Sequence, residues 1–123
     1  MIRILTLALV AILVNCTTFQ GSYAVLSHKE VDFSKNFEKI KPTEEGKSGL
    51  NIFFVIPVGT LALTARINEA ITEALTKSGG DFLKNAEIKT SYYYIPFIYG
   101  NEELIVTGEV WKESAAPAKG KKK

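Results

Sequence analysis

The sequence predicts an α+β domain: a small, mostly antiparallel sheet of three to four strands with one amphipathic helix packed on it. Three observations predict it. Residues 50–58, LNIFFVIPV, form a nearly continuous apolar run of strand length. Ile67, Ala70, Ile71, Ala74 and Leu75 fall at i, i+3, i+4, i+7 and i+8, a single helical stripe. Residues 86–94 and 104–110 then alternate apolar and polar side chains with a period of two, the mark of half-exposed strands.

Taken in order, residues 1–15 read as an export signal, 16–22 as a short polar tether (TTFQGS after Cys16), 23–113 as one α+β domain and 114–123 as a disordered basic tail. Residues 23–28 have the composition of a first strand. The charged segment 35–47, punctuated by Lys41-Pro42 and Glu45-Gly46, reads as a surface loop. The run 50–58 is read as the central strand, with Pro57, which cannot donate to a ladder, at its end or on an edge. The helix is capped by Thr60 or Thr64 and ends at Gly79-Gly80, which supplies the left-handed position. Residues 81–95 and 103–112 then make a hairpin turning at Gly100-Asn101.

The stretch MIRILTLALVAILVNC decides where the domain lives. Arg3 gives one positive charge, and residues 4–14 are apolar apart from Thr6, too short to cross a hydrocarbon core that needs roughly 20 helical residues. Cys16, the single cysteine, excludes an internal disulfide and multi-cysteine metal sites. The tetrad Leu13-Val14-Asn15-Cys16 resembles the lipobox of bacterial lipoproteins, and Asn15, where Gly, Ala or Ser is usual, resembles the looser boxes of spirochaetal lipoproteins. The resemblance implies acyl attachment at Cys16, a bacterial cell-envelope location and, with Thr17 rather than Asp after the cysteine, the outer membrane, with the periplasmic or surface face left open. The other readings are a plain cleaved signal, for which no Ala-x-Ala-type site lies near Cys16, and a signal anchor, for which the apolar run is short.

The order strand, helix, strand, strand is similar to that of small bacterial lipoproteins of the TRL-like and related uncharacterised families. Here the matching residues are Ala70 to Leu75, Gly79-Gly80, Asp81 with Leu83 and Asn85, and Val106 to Val110. That resemblance implies a compact α+β domain and no reaction.

Composition and charge narrow the function classes. Residues 16–113 hold ten Lys and Arg against thirteen Asp and Glu, whereas 114–123 hold four Lys and no acid. A mildly acidic domain without clustered basic side chains argues against nucleic-acid binding. His28 is the only histidine, so no metal site and no cofactor are expected. Glu44-Glu45 and Glu102-Glu103 are adjacent pairs whose side chains point to opposite faces of a strand, not acid/base dyads. No catalytic set is recognisable, so the expectation is a non-enzymatic binding or structural module, with the membrane as one partner through Cys16. Tyr93 and Tyr99, from the run of Tyr92, Tyr93, Tyr94, Phe97 and Tyr99, are candidates for a protein-binding surface beside their ordinary strand role. Lys119, Lys121, Lys122 and Lys123 are candidates for polyanion binding. The alternative function is therefore a surface adhesin that engages host extracellular-matrix components, or plasminogen through a terminal lysine.

Overall fold

The structure, a computed structural model, describes Ile4 and residues 16–115. Among the described residues it is an α+β fold with one helix packed on a five-stranded antiparallel sheet, where the sequence predicts three to four strands. The strands are β1 (Cys16–Leu26), β2 (Phe37–Phe53), β3 (Ile56–Gly59), β4 (Phe82–Ile95) and β5 (Tyr99–Glu113), with α1 (Leu63–Ser78) between β3 and β4. The sheet order is β1-β4-β5-β2-β3.

Pairing places Leu50, Leu104, Val106, Val110, Leu83, Ala86 and Ile88 on one face, all buried beneath α1 or beside it. The helix contributes Ala70, Ile71, Ala74 and Leu75, with Ile67 packed against them, which is the stripe read from the sequence. Gly79 ends the helix at φ 71°, and its N–H donates to the Leu75 carbonyl at 2.8 Å. The other cap differs from expectation. Ala62 occupies the N-cap without a side-chain hydrogen bond, while Thr60 donates its hydroxyl to Glu69 at 2.8 Å.

Four further local expectations are corrected. Residues 16–22, read as a tether, lie within β1, where Thr17, Thr18 and Phe19 oppose Ser91, Thr90 and Lys89. Residues 37–47, read as loop, belong to the 17-residue β2. Of their inward positions Ile40 only partly enters the core, and Gly46, like Ser48 just beyond, is small because α1 lies directly there, so the apolar half of a strand alternation is thinned to one residue. Pro42 sits where the β2/β5 register shifts, an irregularity that spares the ladder a donor. The run 50–58 is not one strand: β2 stops at Phe53, Phe54 turns at φ 60°, and β3 folds back with Pro57 opposite Ile52 on the sheet edge. The central strand is β5. Its hairpin with β4 turns at residues 96–98, with Phe97 at φ 59°, and Gly100 and Asn101 are already in β5.

In β4, Leu83 and Ala86 both face the core although their sequence parity differs. Asn85, at φ 50°, lies within the register shift between Lys84 and Glu87 and absorbs the extra residue. On the helix-free face at that end, Phe82 stacks on Trp111 at 6.5 Å, and Phe37 meets Phe82 edge-on at 5.0 Å.

Candidate functional site

Cys16 is exposed and opens β1, an edge strand, where it lies opposite Tyr92. Tyr92 in turn opposes Glu102 on β5. The cysteine therefore sits at the end of the sheet where the β2–β3 and β4–β5 hairpins turn. β5 runs away from that end, and its last residue, Glu113, lies opposite Phe37. Ser114, whose N–H donates to the Asn36 carbonyl at 2.8 Å, leaves the domain at the far end. Leu13, Val14 and Asn15, and Lys119, Lys121, Lys122 and Lys123, lie outside the described residues.

The structure brings Tyr93 and Tyr99 together on the helix-free face, ring centroids 5.8 Å apart and ring planes inclined at 62°. Their strand positions are set by the pairs Tyr93 with Asn101 and Ile95 with Tyr99. Burial, and then the neighbouring Tyr99, push the Tyr93 phenol up from its ordinary value. The Tyr99 hydroxyl donates to Asn51 Oδ1 at 2.6 Å, Asn101 Nδ2 donates to the same oxygen at 3.2 Å, and Phe53 lies 5.4 Å from Tyr99. Asn51 and Phe53 were not singled out from the sequence, because the cluster crosses three strands whose register the sequence does not display. Tyr92 and Tyr94 take the other face, and the Tyr94 hydroxyl donates to the Phe54 carbonyl.

The rest of the helix-free face is an ion-pair lattice. Lys47 lies between Glu45 (3.2 Å) and Glu103 (3.5 Å), Lys89 pairs with Glu87 (3.1 Å), and Lys39 pairs with Glu109 (3.3 Å). The alternation of sign leaves no basic field on this face to draw a polyanion. The Glu109 carboxyl is held below its ordinary value by the Trp111 indole N–H and then by Lys39. Glu102 and Glu103 do point to opposite faces: Glu102 accepts from Arg66 Nη1 at 2.8 Å beneath the helix, whereas Glu103 meets Lys47. His28 is exposed just beyond β1. Among the described residues no group of three or more His, Cys, Asp or Glu side chains is placed to hold a metal ion, and no helix is long and apolar enough to cross a membrane.

No protein-family model matches the chain, and no curated protein or solved structure matches it either.

Proposed function

We propose that the chain is a lipid-anchored, non-catalytic envelope lipoprotein of the small spirochaete type, a binding or structural module held at a membrane, the outer membrane by the residues around the cysteine, by acyl chains on Cys16. The observation that carries this reading is the position of Cys16: exposed, first in an edge strand, and directly after the apolar run and the Leu13-Val14-Asn15 triad. An acyl group there disturbs no core contact. Two or more chains give stable membrane attachment, where one binds only marginally. Mass spectrometry of the membrane-associated protein tests this, with a Cys16→Ala control. The expected result is a mass increase confined to the wild type; attachment and mass unchanged in the variant sink the reading.

A second reading, a surface adhesin using the basic tail, is favoured by one observation. Ser114 leaves the domain at the end opposite Cys16, so Lys119, Lys121, Lys122 and Lys123 follow from the pole turned away from the anchor. Salt-sensitive binding to sulfated glycan, or lysine-competed binding to plasminogen, is expected for the full chain. Equal binding by a chain ending at Glu113 removes the tail from the function.

A further inference from the structure

Three segments of this sequence carry no Asp, Glu, Lys, Arg or His: residues 16–27, 50–65 and 92–101. The fold brings parts of all three to one pole. Residues 50–65 supply the β2–β3 hairpin and the start of α1, residues 92–101 the β4–β5 hairpin, and residues 16–27 bring Cys16 alongside Tyr92. The tips are joined by a hydrogen bond from the Phe54 N–H to the Ile98 carbonyl at 3.4 Å. At this pole large apolar side chains face outward: Phe54 at 64%, Val55 at 69%, Phe97 at 70% and Ile98 at 65% exposure. Large apolar side chains left exposed on two adjoining tips mark an interaction site.

The cations that border this pole are paired. Arg66, 3% exposed, is paired with Glu102, and Lys47 and Lys89 are paired with Glu45, Glu103 and Glu87. Glu69, in the first half of α1, accepts from the Ser48 and Thr60 hydroxyls, and the tips themselves, residues 53–56 and 95–99, carry no charged side chain to strip of water.

We infer that the β2–β3 and β4–β5 hairpin tips insert into the bilayer that carries the acyl chains of Cys16, so that the domain stands on the membrane with its long axis upright. This rests on the lipid-anchor reading and adds a second contact to it. Register sets the depth. Tyr92 is level with Cys16, and Ile95 and Tyr99 lie three residues further along β4 and its partner. Phe53 is level with Tyr99 on β2. At about 3.3 Å per residue the tips project ~10 Å beyond Cys16, against the about 5–10 Å to which apolar elements sink into the headgroup–acyl boundary. Because Thr17 to Phe19 are paired with β4, no slack chain separates the anchor from the domain. Acyl chains entering the bilayer from Cys16 draw the tips with them.

The test uses the full chain, purified with its lipid and reconstituted in phosphatidylcholine vesicles with brominated acyl chains. Trp111, the single tryptophan, lies nine residues along β5 from Glu102 and serves as a reference held away from the bilayer. Phe97→Trp and, independently, Val55→Trp place a probe on each tip, with far-UV circular dichroism confirming the fold of each. The expected result is a blue-shifted probe component that loses most of its intensity to the bromines, while wild-type emission is unquenched. If the protein carries acyl mass and floats with the vesicles but both probes stay unquenched, the insertion is overturned and the anchor stands. If no acyl mass is found, the anchor reading fails on its own; insertion then stands only where the unacylated full chain binds the same vesicles with its probes quenched, and falls otherwise. Quenching lost to a concentration-dependent dimer that Phe97→Ser abolishes would assign the tips to a second copy and overturn the inference.

Discussion

Gly46→Ala tests the seating of the helix, because this glycine is needed for space and not for backbone conformation. Gly46 lies in β2 opposite Val106, buried and without a positive φ. A Cβ there would overlap the Ala70 carbonyl oxygen of α1 and come within 2.7 Å of the Ala74 nitrogen and 2.9 Å of the Ala70 carbonyl carbon. All three are backbone atoms, so no side chain can rotate aside and α1 has to lift. Overpacking in a core costs typically 1–3 kcal/mol, and a backbone obstacle puts this case at the top of that range, about 3 kcal/mol. For a domain of this size that lowers Tm by about 15 °C. Two other glycines calibrate the number. Gly49 faces the open side, with only Asn101 Nδ2 4.0 Å from a built Cβ, and Gly49→Ala should leave Tm unchanged or slightly raised. Gly79 has open space but φ 71°, and Gly79→Ala should cost about 1 kcal/mol from conformation alone. Thermal unfolding of the full chain by circular dichroism ranks the three. If Gly46→Ala is no worse than Gly79→Ala, α1 does not rest on β2 at this point. Rescue of Gly46→Ala by Ala70→Gly would equally refute the reasoning, since the obstacle is not the alanine side chain.

The buried Arg66–Glu102 pair should respond unequally to its two truncations. Glu102→Ala leaves a guanidinium that is 3% exposed without its carboxylate, and its Nε has no partner among the described residues. That should cost about 2 kcal/mol, lessened from a fully buried pair by the 30% exposure of Glu102. Arg66→Met removes the charge and keeps the stem, and should cost less; urea midpoints in the reverse order would contradict the assignment. Acid should weaken the contact between α1 and β2. The Lys77 ammonium and then the Lys47 backbone N–H hold the Glu73 carboxyl below its ordinary 4.5, and the Ser48 and Thr60 hydroxyls do the same for Glu69. Folded-state values below the unfolded one contribute stability that is complete above the unfolded value and is lost as pH falls through the folded one. Tm should therefore decline as pH drops below about 5, and less steeply in Glu73→Gln; parallel profiles would show that Glu73 carries none of the dependence.

How much of the fold is legible in the sequence depends on whether a position's environment is local. The helix stripe and the parity of β4 and β5 are local periodicities facing one core, so the sequence alone places Ile71, Leu75, Val106 and Val110. Residues 37–47 are hidden for a reason that lies elsewhere in the chain. Toward their C-terminal end the inward side chains have to shrink beneath α1, and a stretch reading Glu45-Gly46-Lys47-Ser48, with Gly46 and Ser48 as its core positions, has the composition of a loop. The break at Phe54 is hidden for the opposite reason: the run 50–58 is apolar throughout, and uniform hydrophobicity marks no turn. The second of these bears directly on the candidate site. With 50–58 read as a buried central strand, its apolar side chains are accounted for by a core. Once the chain turns at Phe54, Phe54 and Val55 have no core to enter, and they stand exposed beside Phe97 at the pole that carries Cys16. The hydrophobicity that reads as the interior of the sheet is the surface for which the fold supplies no internal partner.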